Sequence, residues 1–322
     1  RLSLIRLWRK ADLILAACAV MAQAAVSGRN QMIAKKKALS RYHFREHATN
    51  LAFLLPATAL FAFVVLIPFF QSIPYSFTDW KSIMSDSWNW VGFRNYELML
   101  SNQYFRNAFV HTLHFTILYV IGANLLGLLL ALLLQMSSKF NNFARTLIFL
   151  PFTVALTSGA IVWSYVFTDV YCNIFGTISP LGDSSQVING MAVIAIWRDL
   201  GYCMLIYIAA LQSIPQDYYE AATVEGAGKL QQTFRITLPL IVPAFTSNIT
   251  LLLAWGLRCF DYPMAVARNM EAAQTTAMFI YDYIFGYSKA GLGQAAAIML
   301  TLVLIIITQF VTRALRRMEV EV

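Results

Sequence analysis

Residues 220–239 read EAATVEGAGKLQQTFRITLP, a polar stretch of helical character set between apolar segments at 190–211 and 240–262, each long enough to cross a bilayer. Asp217-Tyr218-Tyr219-Glu220 has the Asp-x-x-Glu form of a helix start, with Asp217 placed to cap the amide of Glu220. Pro215 helps to end the apolar segment before it. Ala221 and Ala222 are small, strong helix formers that let another surface come close, and Gly226 and Gly228 permit a sharp change of direction. A second short helix over about 229–235 then leads to Ile236-Thr237-Leu238-Pro239, where proline opens the next apolar segment. The pattern predicts a helix–turn–helix along one membrane face, shaped for a cleft in another protein.

Composition sets the surroundings of that stretch. Of 322 residues, 59% are hydrophobic and 12% charged, where soluble domains carry about a quarter charged residues. The apolar residues come in runs, read as spans at 51–73, 109–136, 145–167, 190–211, 240–262 and 291–311. The fourth holds Arg198 and Asp199 and is the weakest of them. The expected fold is all-α, a polytopic membrane protein of six helices.

The net charge of +8 is a topology signal and not a mark of nucleic-acid binding. With the segment before Leu51 inside, the inner segments hold thirteen basic residues, among them Lys35, Lys36, Lys37, Lys139, Arg145, Lys229, Arg235, Arg313, Arg316 and Arg317. The outer segments hold five: Lys81, Arg94, Arg106, Arg268 and Lys289. That asymmetry puts both termini in the cytoplasm. The four cysteines are scattered without paired spacing, so neither a disulfide framework nor a zinc site is expected. The bacterial inner membrane is the expected location.

Four regions follow. Residues 1–31 contain ADLILAACAVMAQAAV at 11–26, read either as a dispensable extension, with Met21 and Met32 as alternative starts, or as one more membrane-associated helix. Residues 32–50 are a basic juxtamembrane segment suited to anionic lipid headgroups. Residues 51–107 comprise the first span and an outer loop with Trp80, Trp88, Trp90, Phe93, Tyr96 and Tyr104, read as interfacial anchors or as a docking surface. Residues 108–322 form the core, with the polar loop at 212–239. His43 and His47 in the basic tail read as solvated, and His111 and His114 as interfacial. No nucleophile–base set or carboxylate pair stands out, which argues against an enzyme. GAGK at 226–229 is not a phosphate-binding loop: Leu230 follows the lysine, Thr223 stands where the first glycine would be needed, and a helix precedes it.

Glu220-Ala221-Ala222, then Gly226, then Ile236, Leu238 and Pro239 resemble the EAA motif of bacterial ABC-importer permeases at every defining position. Outside the loop, LLPATALFAFVVLIPFFQSIPYSFTDW, VGFRNY, ARTLIFLP and ALQSIPQDYYEAA are similar to the sugar-permease branch of MalF type, a resemblance running from about residue 45 to the C-terminus. Glu225 stands where aspartate is more usual, and ARNMEAA at 267–273 replaces a glycine-rich turn. The resemblance implies a six-helix permease core that translocates a sugar or oligosaccharide. It also implies, as partners, a second EAA-type permease, two ABC ATPase subunits that carry ATP and magnesium, and a periplasmic or lipoprotein solute-binding protein. The chain itself would bind no cofactor. The loop would be the coupling helix, seated in a groove of the ATPase.

The same resemblance places solute contacts on the helices flanking the loop, which carry Arg198, Asp199, Tyr202, Trp255, Arg258, Cys259 and Asp261. Aromatic faces suit sugar rings, and arginine and aspartate suit hydroxyls or carboxylates. Two readings stand for the charges: internal pairing, with Arg258 bonded to Asp261 three residues on, or an acidic oligosaccharide neutralising the arginines. A self-powered carrier or channel is the alternative function. It accounts for spans and buried charges but leaves the EAA spacing without a purpose.

Overall fold

The computed structural model describes residues 49–82, 84, 85 and 87–319. The extension at 1–31, nearly all of the basic segment at 32–50, His43, His47 and Cys18 lie outside the described residues.

Helices account for every long element. Among the described residues, four are long and apolar enough to cross a membrane singly: α1 (Thr49–Tyr75), α3 (Gln103–Leu134), α6 (Val187–Ser213) and α12 (Ala290–Arg316). Two bent helix pairs reach the same length and composition only when each pair is taken together. α4 (Lys139–Thr153) and α5 (Leu156–Phe175) meet at 101°, and α8 (Lys229–Leu240) and α9 (Val242–Leu257) at 60°. The expected third and fifth spans fall on these bent pairs, giving up to six spans if each pair is one crossing. The physical causes are local. Val154 and Ala155 take extended ψ values of 138° and 132°, which no helix turn can bridge. At the second break, Ile241 sits at ψ 8° between Pro239 and Pro243, and Pro243 offers no N–H to the carbonyl four residues back. Short helices complete the chain: α2 (Arg94–Ser101), α7 (Gln216–Val224), α10 (Asp261–Val266) and α11 (Thr276–Tyr281).

The chain divides between Gln71 and Ser72. After the division, the core lies where α3, α6 and α9 pack together around Phe115, Met191, Met204, Tyr207 and Leu252. Small residues bring the rods close, as they must where lipid supplies no hydrophobic drive between helices. A Cβ on Gly201 would lie 2.3 Å from the Ile148 carbonyl oxygen, so α4 rests directly on the backbone of α6. Polar stitches cross the same core. Tyr207 donates to Asn124 Oδ1 at 2.6 Å, and Asn124 donates to its own helix at Val120 O, 2.7 Å away.

The segment after α1 is built from its aromatics. Tyr75 stacks on Trp80 at 4.7 Å and Phe77 on Trp90 at 5.4 Å, while Thr78 and Trp90 form an isolated bridge. Asp79 accepts the Asn89 backbone N–H and, at 3.1 Å, its side-chain amide. Those bonds, the backbone N–H foremost, hold its carboxyl below the ordinary range.

Candidate functional site

Two features could carry function: a polar cavity between spans and an exposed helical hairpin.

The cavity encloses about 430 Å³. α6 supplies Arg198 and Asp199, the end of α9 and the turn after it supply Trp255, Arg258 and Cys259, and α10 begins with Asp261 and Tyr262. Six of the seven residues expected in the solute pathway thus line one space. The seventh, Tyr202, lies behind the wall, stacked on Phe152 at 5.0 Å and 5.7 Å from Trp255.

Arg198 is ion-paired with Asp199 at 2.7 Å, with side chains 21% and 3% exposed. Its guanidinium also lies over the Phe152 ring at 5.2 Å. Tyr119 on α3 donates its hydroxyl to the other Asp199 oxygen. The buried charge is therefore compensated from within the chain, as a charge at this depth requires. Arg198 Nε and the Tyr262 hydroxyl are buried at this wall without a hydrogen-bond partner among the described residues.

Arg258 behaves differently. Its expected pairing with Asp261 is not formed, because α9 ends at Leu257 and the three-residue spacing no longer follows a helical turn. Arg258 Nε instead donates to the Ala254 carbonyl at 3.0 Å, and both Arg258 and Asp261 are exposed to the cavity. The sequence reading missed Phe115, Tyr119, Phe152 and Tyr262. Tyr119 shares its span with Thr112, Thr116 and Asn124, so its hydroxyl alone does not mark it, and Phe152 reaches the cavity only because α4 ends beside it in the 101° bend.

The hairpin is α7, a turn, and α8. Gly226 adopts φ +80°, and the Gly226 and Ala227 N–H groups bond back to Thr223 and Ala222, a Schellman closure that needs a residue without a Cβ. Tyr219 and Thr237 hydroxyls meet at 3.0 Å, and Gln232 donates to Thr223 at 3.0 Å, locking the two arms. Glu220 and Ala221 are exposed, whereas Ala222, Ile236, Leu238 and Pro239 are half-buried. Two local expectations are corrected. Pro215 occupies the cap position of α7, and Asp217 lies inside its first turn, where its charge complements the helix dipole without capping an amide. The second arm runs on to Leu240, so Pro239 lies within it and the break before the next rod falls at Ile241.

The fold is that of a helical membrane permease, a non-catalytic subunit. Residues 123–320 match the family of binding-protein-dependent transport system inner membrane components, and the chain belongs to that family. Across 84% of its length it is 31% identical to the "Probable starch degradation products transport system permease protein AmyD" of Thermoanaerobacterium thermosulfurigenes, covering 94% of that protein. It is 25% identical to the multiple sugar-binding transport system permease protein MsmF of Streptococcus mutans, over 83% of this chain and 95% of that one. Its fold is similar to a chain in the crystal structure of a bacterial ABC transporter involved in the import of the acidic polysaccharide alginate. There the TM-score is 0.74 at 23% identity, over 85% of this chain and 96% of that one.

Proposed function

We propose that this chain forms one half of the membrane pathway of an ATP-driven importer for a sugar or oligosaccharide. A second EAA-type permease supplies the other half. Two ABC ATPase subunits, which hold ATP and magnesium, grip the hairpin, and a solute-binding protein delivers cargo at the opposite face. Both termini then lie in the cytoplasm, consistent with the basic residues of the inner segments.

The observation that carries this reading is the cavity, where the Trp255 and Phe152 rings stand beside the exposed side chains of Arg258 and Asp261. Aromatic faces against sugar rings and a few convergent polar atoms are what a saccharide site requires. Relatives named for starch degradation products and for multiple sugars support the cargo class. The hairpin supports coupling: Val224, Leu230 and Phe234 are 87%, 77% and 66% exposed on short helices, apolar surface suited to a protein groove.

The test is uptake by the reconstituted complex, with acidic and neutral oligosaccharides of equal length. Arg198 is neutralised internally, whereas Arg258 is free to face a carboxylate. Arg258→Gln is expected to reduce uptake of the acidic cargo more than of the neutral one, because guanidinium binds carboxylate bidentately. Equal loss for both would leave Arg258 as a general wall residue. Complete indifference would remove it from the pathway.

A further inference from the structure

At the end where α12 begins, residues 78–81 are fastened along the helix start. The Ala290 N–H donates to Lys81 O at 3.1 Å and the Gly291 N–H to Trp80 O at 2.7 Å. Buried Asn95 donates to Ser76 O and Thr78 O, each at 2.8 Å. This fastening shapes a cavity of about 330 Å³ into which Lys81, Arg94 and Lys289 bring three positive charges. The carboxylate in its wall is Asp79, whose oxygens are engaged by Asn89. Among the described residues no ion pair joins the three cations to an acid.

Leu292 lines that cavity, and seven residues on, about 10 Å along the same face of α12, Met299 lines another. This second space, about 430 Å³, is walled by Phe105, Phe109, Val110, Met299 and Val303, with Arg106 as its charged residue. Leu292 and Met299 both pack on one small core of Met99, Phe105, Ala108, Phe279 and Ala296, so the two spaces share a wall. Trp88, Trp90 and Phe93 are exposed on the segment that leads into the basic cavity, a grouping typical of headgroup depth. The apolar space lies deeper, between the spans α3 and α12.

We infer that this face binds an anionic phospholipid, with the phosphate among Lys81, Arg94 and Lys289 and an acyl chain between Phe109 and Val303. Charge complementarity selects the anion, since three cations face a single carboxylate, Asp79, which Asn89 already engages. The apolar space selects lipid over a soluble acid, because a sugar acid or free phosphate leaves it unfilled. The site is separate from the cavity at Arg198.

The test is native mass spectrometry of the purified transport complex after delipidation, titrated with phosphatidylglycerol or phosphatidylcholine. Wild type is expected to retain one phosphatidylglycerol per copy of this chain, favoured over phosphatidylcholine by at least about tenfold given three near-surface cations. The triple variant Lys81→Gln, Arg94→Gln, Lys289→Gln should lose that preference, and Lys81→Arg with Lys289→Arg should keep it. Val303→Trp, which fills the acyl space, should weaken both lipids alike and provides an independent arm should the triple variant not assemble. Undiminished phosphatidylglycerol preference in the triple variant would overturn the assignment. So would displacement of the lipid by an equal concentration of glycerol phosphate, which has the headgroup and no tail.

Discussion

Asp199 bonds at once to Arg198 beside it and to Tyr119 on another span, so its removal strands a buried cation. Breaking one side of a buried pair costs about 3–5 kcal/mol. Asp199→Ala should therefore lower the thermal unfolding midpoint of the complex sharply, while the double variant Asp199→Ala, Arg198→Met recovers much of the loss. Failure of the double variant to recover would mean that Asp199 acts through Tyr119 alone. Asp79 offers the opposite case, exposed and held below its ordinary pKa by Asn89. Its contribution to the 76–95 segment is present above the unfolded value and is lost as pH falls below about 4. A fluorescence change of Trp90 on acidification, absent in Asp79→Asn, would report it. At this scale the sequence was informative where a residue type is rare in its setting, as with an arginine inside a span. It was silent about Phe152, because a phenylalanine in an apolar run looks like every other one until the chain bends.

Among elements, the hairpin was the most legible, since glycine, proline and small residues at fixed offsets dictate turns by local rules. Its inner joint was misjudged at Asp217 because the proline two residues before it already satisfies the entry to α7. Gly226 and Gly228 look alike in sequence but differ in the structure. Gly226→Val forces a branched side chain to φ +80° and should cost about 1–2 kcal/mol locally. Solute-stimulated ATP hydrolysis should fall with it, as it should in Glu220→Lys. Gly228 has an ordinary φ and open space around it, so Gly228→Ala should leave hydrolysis unchanged. If both glycine variants hydrolyse ATP normally, the hairpin is not the joint. The breaks in the third and fifth spans were hidden because hydropathy averages over a window and cannot register two residues of extended backbone.

For the whole molecule, the helical membrane class followed from composition, whereas the arrangement of helices depended on contacts between residues far apart in the chain. Gly201 is one such contact. Gly201→Leu would drive side-chain atoms into the backbone of α4 at Ile148, which has no rotamer to yield. Overpacking of this kind costs about 1–3 kcal/mol. Because α4 ends at the cavity wall, uptake should fall together with stability in thermal and transport assays. Loss of stability alone would separate the α4–α6 contact from the passage.

α6 itself runs unbroken for 27 residues, about 40 Å, with Asp199 tied to α3 and Gly201 pressed against α4. A rod pinned there is held at its middle, with 13 residues, about 20 Å, on either side. Tilting it by about 10° would carry Ser213 and Val187 through about 3 Å each, in opposite senses. The ion pair beside the pin would barely shift. In the importer proposed above, a single small rotation applied at the tip next to α7 would widen one mouth of the passage by the same stroke that narrows the other.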